Sequence, residues 1–358
     1  MKFIKTFFAQ LFMGANVATI LLLWASCGVT YLSPAWHPNV SLLSLAFPIF
    51  LLVDVCFVFF WLIFKAKWTW VPLLGIACCF SFVRDYIPVN WPVETPDSTL
   101  VIVSYNTHNF GGKEANLEDG TNLVVKYLMD SDADIICLQE SGGHNDFREQ
   151  FTAAGYECKN MREFMICSRL PILSIDTLAF PGSSEHCMRA YLKEGEDTIM
   201  LINQHLQSNQ ITGEVKDAYV GAFERHESDS LRKGMKPVVR LLANAQPLRA
   251  QQADYIQAAI NEWLPRPVIV CGDFNDTPVS YAHRVLTSQL SSAFRESGNG
   301  LGFTFHTKGF PVRIDHILFN GDRWKSYECT VCDTITCSDH FPIHTKLGKK
   351  VLESSKKR

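Results

Sequence analysis

Acids, amides and histidines gather where apolar runs of this sequence end. Asn106 closes the run 100–105, Glu140 comes just after 134–138, and His205, Gln207 and Ser208 follow 198–203. Asp273, Asn275 and Asp276 follow 267–271, Asp315 and His316 lie within 314–319, and Ser338-Asp339-His340 precedes Phe341-Pro342-Ile343. No serine or cysteine flanked by glycines offers itself as a nucleophile. Oxygen donors of this kind suit a hard cation such as Mg2+ or Mn2+. A histidine beside them suits a general base that takes a proton from water. A metal-bound phosphate attacked by His-activated water is the chemistry this inventory serves best.

Groups so far apart in sequence need a fold that brings them together. The runs 100–105, 134–138, 198–203, 267–271 and 314–319 are apolar on both faces and rich in β-branched residues, which predicts central strands covered by helices. Residues 117–129 show helical spacing; 209–264 reads as mostly helical, broken by Gly234 and Pro237, and as a lid that chooses substrate. In layered α/β folds, side chains at corresponding strand ends converge on one crevice. The sequence shows no internal repeat and no low-complexity tract.

The chain is 358 residues with a mean hydropathy of +0.04, and its apolar residues crowd the N-terminus. Residues 11–31 carry no charge and 41–64 carry only Asp54. A hydrocarbon core about 30 Å thick needs roughly 20 such residues of helix, so both runs are long enough to span. A third run, 68–83, holds Pro72 and Gly75 and is shorter. Residues 1–86 are therefore expected to form a membrane anchor of three helices, two being the alternative. Residues 87–99, rich in proline, read as an extended linker. Lys2, Lys5, Lys65 and Lys67 put the N-terminus and the second loop in the cytoplasm by the positive-inside rule. Three spans then leave the remainder outside, as in a bacterial inner membrane with an extracytoplasmic domain, and two leave it inside.

Residues 1–88 hold five bases against two acids, a net +3; the remainder holds 28 against 34, a net −6. A −6 domain carries no general attraction for phosphate chains. Cys137, Cys167 and Cys271 read as small buried hydrophobes, and Cys329–Cys337 is the expected disulfide if the domain meets an oxidising compartment.

The pieces Ser104-Tyr105-Asn106, Leu138-Gln139-Glu140, Asn203-Gln204-His205-Leu206-Gln207-Ser208, Gly272-Asp273-Phe274-Asn275-Asp276-Thr277-Pro278, Arg313-Ile314-Asp315-His316-Ile317 and Ser338-Asp339-His340-Phe341-Pro342 occur in one order. Together they resemble the endonuclease/exonuclease/phosphatase superfamily, typified by DNase I, over residues from about 100 to 345. The resemblance implies an α/β fold, a four-layered α/β sandwich (DNase I-like) over residues 100–347, here preceded by an α-helical transmembrane anchor and followed by a basic tail, 348–358. It further implies Glu140, Asn106 and Asp339 as the metal site for Mg2+ or Mn2+. His340 is then the general base and Asp315 its orienting partner. Asp273 and Asn275 position the nucleophile and hold phosphoryl oxygens, and His205 hydrogen-bonds a nonbridging oxygen or the leaving group. Arg189 sits where relatives place a phosphate-facing base, with a surface ion pair as its alternative. Ser168-Arg169-Leu170-Pro171-Ile172 resembles a structural turn of the family. Between Asp315 and His316 the motif favours Asp315 for the site and His316 for packing. Asp276 reads as a helix cap, and His186 and His306 as loop residues.

Three readings of function stay open. One is a membrane-tethered phosphodiesterase acting on nucleic acid; another is the same chemistry on a phospholipid or other small phosphate ester. The third is a binding module whose site has decayed, which predicts loss of a key residue, yet Glu140, Asp273, Asn275, Asp315 and His340 are all present. The partners expected are thus a phosphate ester and a lipid bilayer.

Overall fold

A computed structural model of the chain describes residues 2–118, 120–142, 145–181, 186–210, 228–307 and 311–350. Twelve strands are described there: β1 (Leu100–Asn106), β2 (Ile135–Gln139), β3 (Glu157–Met161), β4 (Phe164–Ser168), β5 (Ile172–Ala179), β6 (His186–Glu194), β7 (Asp197–His205), β8 (Val268–Asp273), β9 (Ser291–Ser292), β10 (Asp315–Phe319), β11 (Trp324–Val331) and β12 (Ile343–Lys349). They form two six-stranded sheets, ordered β11-β12-β1-β2-β4-β3 and β5-β6-β7-β8-β10-β9.

Residue alternation explains the layering. Ile102, Ile135, Cys137, Ile269 and Cys271 point inward and fill the core between the sheets. Their neighbours Val103, Ile136 and Leu138 face outward onto helices α6 (Leu123–Asp130) and α7 (Asn145–Ala153), through Val124, Leu128 and Phe151. On the second sheet, Ile202, Val268 and Val270 meet Ala253, Ile256 and Ile260 of α8 (Ser228–Trp263), with α9 (Tyr281–Leu286) beside it. Period-two side chains that are apolar on both faces need a cover on each side. The result is the four-layered sandwich, helix on sheet on sheet on helix.

The helices differ from expectation in two places. Over 117–129, helix starts only at Leu123, where the Asn122 side chain accepts from the backbone N–H of Val124 and Val125; before it, the N–H of Leu117 donates to the Thr121 carbonyl and that of Gly120 to the Leu117 carbonyl. Within 209–264, helix runs unbroken from Ser228 through Pro237 and Pro247 to Trp263, and 211–227 lies outside the described residues. Apolar contacts along one face of α8 outweigh the local cost of its prolines.

The cysteines differ too. Cys158 and Cys167 are cross-strand partners on β3 and β4 and form a disulfide. Cys329 and Cys337 are both free: Cys329 is buried between the sheets, whereas Cys337 lies on a loop against Gly111.

The N-terminal segment consists of α1 (Lys2–Gly28), α2 (Pro38–Ser41), α3 (Phe47–Lys65), α4 (Trp70–Cys78) and α5 (Phe80–Tyr86). Thr6–Tyr31 and Pro38–Trp68 are long and apolar enough to cross a membrane. The run 68–83 is helical apart from an interruption at Cys79. Asp54 is fully buried, accepting from Thr19 Oγ1 at 2.6 Å and Asn16 Nδ2 at 3.2 Å, and Trp61 Nε1 donates to Asn16 Oδ1 at 3.1 Å. A charge in an apolar bundle persists only with partners of this kind.

This bundle is docked on the sandwich. Val279 packs with Leu23, Cys27 and Phe47. Arg284 donates to the carbonyl of Thr30 at 2.7 Å and lies over the Tyr31 ring. Arg295 pairs with Asp85, and Arg313 donates to the carbonyls of Asp85 and Tyr86. Residues 87–99 have no regular structure until β1, yet Asn90 donates to the carbonyls of Arg295 and Gly298, and Gly300 donates to Pro88. At the other end β12 reaches Lys349, so strand occupies the start of the expected tail; 351–358 lies outside the described residues.

Candidate active site

Two parallel pairings bring the candidate residues to one edge. β1 pairs with β2 so that Asn106 sits beside Gln139, and β7 pairs with β8 so that His205 sits beside Asp273. Across the gap between sheets, Gln139 Nε2 donates to Asn203 Oδ1 at 2.7 Å, and Asn203 Nδ2 donates to the Leu138 carbonyl at 3.0 Å. These buried amides tie the two site-bearing edges together and were not singled out in the sequence; their signal was a place one or two residues before the site residues in two of the motifs.

Glu140 follows β2 with a φ of +47°, a left-handed conformation that only specific surroundings sustain. The N–H of Asn109 donates to the Glu140 carbonyl at 2.7 Å and helps hold it. Asn275, at φ +50°, is fixed likewise: its N–H donates to Asp273 Oδ1 at 2.7 Å and its side chain to the Leu206 carbonyl at 3.0 Å. Gly272 shows why β7 and β8 meet so closely, because a Cβ there would lie 1.9 Å from the Gln204 carbonyl oxygen.

The side chains converge. Asn106 Nδ2 donates to Glu140 Oε1 at 3.0 Å and to Asp273 Oδ2 at 3.3 Å. His205 Nε2 lies 3.7 Å from the same two oxygens. His340 Nδ1 is 2.8 Å from Asp315 Oδ2, and its Nε2 faces Asp273 Oδ2 at 3.6 Å. The hydroxyl of Ser338 accepts from the His340 N–H, and Phe305 meets the imidazole ring edge-on. His108, another residue the sequence did not single out, places Nδ1 3.4 Å from Glu140 Oε2 and 3.9 Å from Asp339 Oδ1.

Electrostatics follow from this crowding. Burial works against a charged His340, but the carboxylates of Asp315 and Asp273 outweigh it and raise the imidazole to about 10. Burial, then repulsion from Asp315, pushes Asp273 up to about 6. For Glu140, burial is outweighed by the Asn106 hydrogen bond and the nearby histidines, so its carboxyl sits below the usual range. A cation held by these carboxylates would offset part of the negative charge that raises the imidazole.

Other candidates lie elsewhere. The guanidinium of Arg189 is taken by Asp176, with Nε at 2.7 Å and Nη2 at 2.8 Å, on the facing positions of β5 and β6, and is not brought to the cluster. His316 is buried against Phe274 and His283, with Nε2 near the Asp276 carbonyl at 3.3 Å. Asp276 does not cap α9, whose cap is Ser280; instead it faces the fully buried Arg249 of α8 at 3.4 Å. His186 opens β6 rather than lying in a loop, while His306 stacks on Phe341.

Two facing mixed sheets with acids and histidines at one edge define the DNase I-like class of fold. A family model described as the endonuclease/exonuclease/phosphatase family matches residues 103–340. The chain belongs to that family. Phosphoester hydrolysis is the family's class of activity, and its enzymes use divalent metals. Residues 9–86 match a domain of unknown function, DUF8431. Comparison with the curated proteins gives no match. Among solved structures, TDP2 of D. rerio, complexed with a single-strand DNA product, is similar with a TM-score of 0.51 and 18% identity, over 70% of this chain and 100% of that one. The human nocturnin catalytic domain gives 0.51 and 16%, over 73% and 100%. A Bacteroides thetaiotaomicron protein of the same family gives 0.50 and 18%, over 73% and 100%. At these identities the likeness is one of fold.

Proposed function

We propose that the chain is a membrane-anchored phosphodiesterase that uses a divalent cation, Mg2+ or Mn2+, and a histidine-activated water. The observation that carries this reading is the buried Asp315–His340 pair, 2.8 Å apart, beside Asp273 and the shared Asn106 contact of Glu140.

The donor set fits a hard cation. Asn106 adjoins Glu140 Oε1 at 3.0 Å, and His108 Nδ1 lies between Glu140 Oε2 at 3.4 Å and Asp339 Oδ1 at 3.9 Å, so the oxygen donors of these three residues adjoin one another. Among the described residues, ligand atoms of Asp273, Asp315 and His340 also lie within 4.8 Å of one another. We assign the cation to Glu140, Asn106 and Asp339 instead, because the Asp315–His340 contact is a hydrogen bond that occupies Nδ1. When bound, the cation draws charge from the phosphoryl oxygens and favours attack at phosphorus.

The protein's own groups do the rest. Asp315 keeps the proton on Nδ1, which leaves Nε2 to receive one from water. Asp273 and Asn275 orient that water, and His205 donates to an oxygen whose charge grows in the transition state. Phosphate contacts fall to Asn106, Asn275, His205 and His108, since Arg189 is engaged by Asp176.

Three crossings of the membrane are supported by where the helix ends meet other groups. Thr30 at the end of α1 and Tyr86 at the end of α5 both contact the sandwich, whereas Lys65 lies over the ring of Trp68 on the connection between α3 and α4. Trp70 to Tyr86 is roughly 25 Å of helix, enough for a short third span. With Lys65 and Lys67 cytoplasmic, the catalytic domain is extracytoplasmic.

A nuclease is the second reading, favoured by the single-strand DNA product bound to TDP2 of D. rerio. The test of the main reading is full-length protein in detergent, titrated with Mg2+ against bis-p-nitrophenyl phosphate. Hydrolysis that rises with Mg2+, stops with EDTA and is lost in His340→Ala is expected. Equal rates with and without metal, or an active His340→Ala, refute it.

A further inference from the structure

We infer that the docked anchor fixes the catalytic edge at the headgroup plane, so that the substrate is a phosphodiester of a lipid in the same leaflet. This rests on the phosphodiesterase reading above.

The anchor grips the sandwich at its catalytic edge. Arg313, which donates to the carbonyls that end α5, is two residues from Asp315, a path of at most about 7 Å. Val279, packed among Leu23, Cys27 and Phe47, is four residues from Asn275, at most about 14 Å. Arg284 reaches the end of α1 from α9, just beyond. The headgroup zone of one leaflet is about 5–7 Å deep. Two site-bearing segments thus end directly on helices whose other surfaces are apolar.

A second observation comes from the seam. Trp36 is 82% exposed and Trp91 85%, and Tyr31, Leu32, Val89 and Val93 are exposed as well. All lie where α1 ends or where the chain leaves α5. Large apolar side chains near helix ends suit a membrane–water boundary. The Arg295–Asp85 ion pair and the Asn90 contacts hold the sandwich against the helical bundle rather than letting it swing on a loose tether.

The reaction balances without a further reagent. Water adds its oxygen to phosphorus and gives a proton to His340 Nε2. The phosphorus–oxygen bond to the leaving alcohol breaks and that oxygen takes up a proton. A phosphomonoester and an alcohol remain.

The experiment uses full-length protein reconstituted with Mg2+ into vesicles of phosphatidylethanolamine containing phosphatidylglycerol, sphingomyelin or phosphatidylinositol. Single-stranded DNA and bis-p-nitrophenyl phosphate are added outside vesicles that expose the catalytic domain. Hydrolysis of at least one lipid is expected to continue at an unchanged rate per protein when the vesicles are diluted tenfold, at least tenfold faster than DNA at equal phosphate. The triple variant Asp85→Ala, Arg284→Ala, Arg295→Ala is expected to lose at least tenfold on that lipid and to keep its rate on bis-p-nitrophenyl phosphate. Faster DNA cleavage, an undiminished lipid rate in the triple variant, or hydrolysis of the soluble diester but of none of the lipids overturns the inference and leaves the phosphodiesterase reading standing. Hydrolysis of none of them brings down both.

Discussion

Replacing Asp315 by asparagine isolates one charge in the candidate site. Asp315 is fully buried, and its Oδ2 receives the Nδ1–H of His340 at 2.8 Å. Asparagine keeps the size, and its carbonyl still accepts that hydrogen; only the negative charge goes. When His340 takes a proton from water, the imidazolium sits about 4 Å from that charge, and at an effective dielectric of about 20 the attraction is about 4 kcal/mol. Each factor of ten in rate costs about 1.4 kcal/mol, so kcat should fall about a thousandfold. KM should move little, because the stabilisation arises only as the proton transfers. Steady-state hydrolysis of bis-p-nitrophenyl phosphate at saturating Mg2+ measures both constants, with circular dichroism to establish that the variant is folded. A kcat within tenfold of wild type refutes the assignment of Asp315 as partner of the base.

Two further outcomes concern stability. Gly272→Ala places a Cβ against the Gln204 carbonyl at a φ of +132°, so a loss of about 4 kcal/mol or more is expected, read as failure to accumulate folded protein. Gly155→Ala, at φ +90° in open space, should cost only about 1 kcal/mol, and equal effects would refute the argument from close strand approach. Burial, aided by Arg313 and Arg295, holds His283 down to about 3, so the unfolded chain binds the extra proton between that value and about 6.5. Its contribution is present above about pH 6.5 and declines as pH falls, by about 2 kcal/mol at pH 5, or a drop in Tm of about 4–8 °C. His316, buried against it, is lowered in the same direction. Thermal scans at pH 7 and pH 5 should show a smaller drop for His283→Gln, and an identical drop speaks against this account.

Much of the scaffold was legible because central strands advertise themselves. Ile102 and Val103, or Ile269 and Val270, are apolar on both faces because each face is covered. Strand ends followed by acids and amides pointed to one edge, and Asn106, Glu140, His205, Asp273, Asn275, Asp315 and His340 do meet there. Hidden features depended on long-range partners. Arg189 carries nothing locally that reveals Asp176 on the neighbouring strand, and Asp276 nothing that reveals Arg249 on α8. Cys158–Cys167 depends on the register of a hairpin, which spacing alone leaves open. Pro237 reads as a helix breaker in isolation, and only the packed face of α8 shows why the helix continues.

Among the described strands the last to be synthesised, β12, lies between β1 and β11, and His340 just precedes it. A nascent chain therefore keeps an open slot beside its first strand until residues 343–349 have left the ribosome. No half-made copy carries the complete cluster of acids and histidines, whatever its N-terminal helices have already done. For the same reason, a single proteolytic nick ahead of this strand would take that cluster apart while leaving the N-terminal bundle whole.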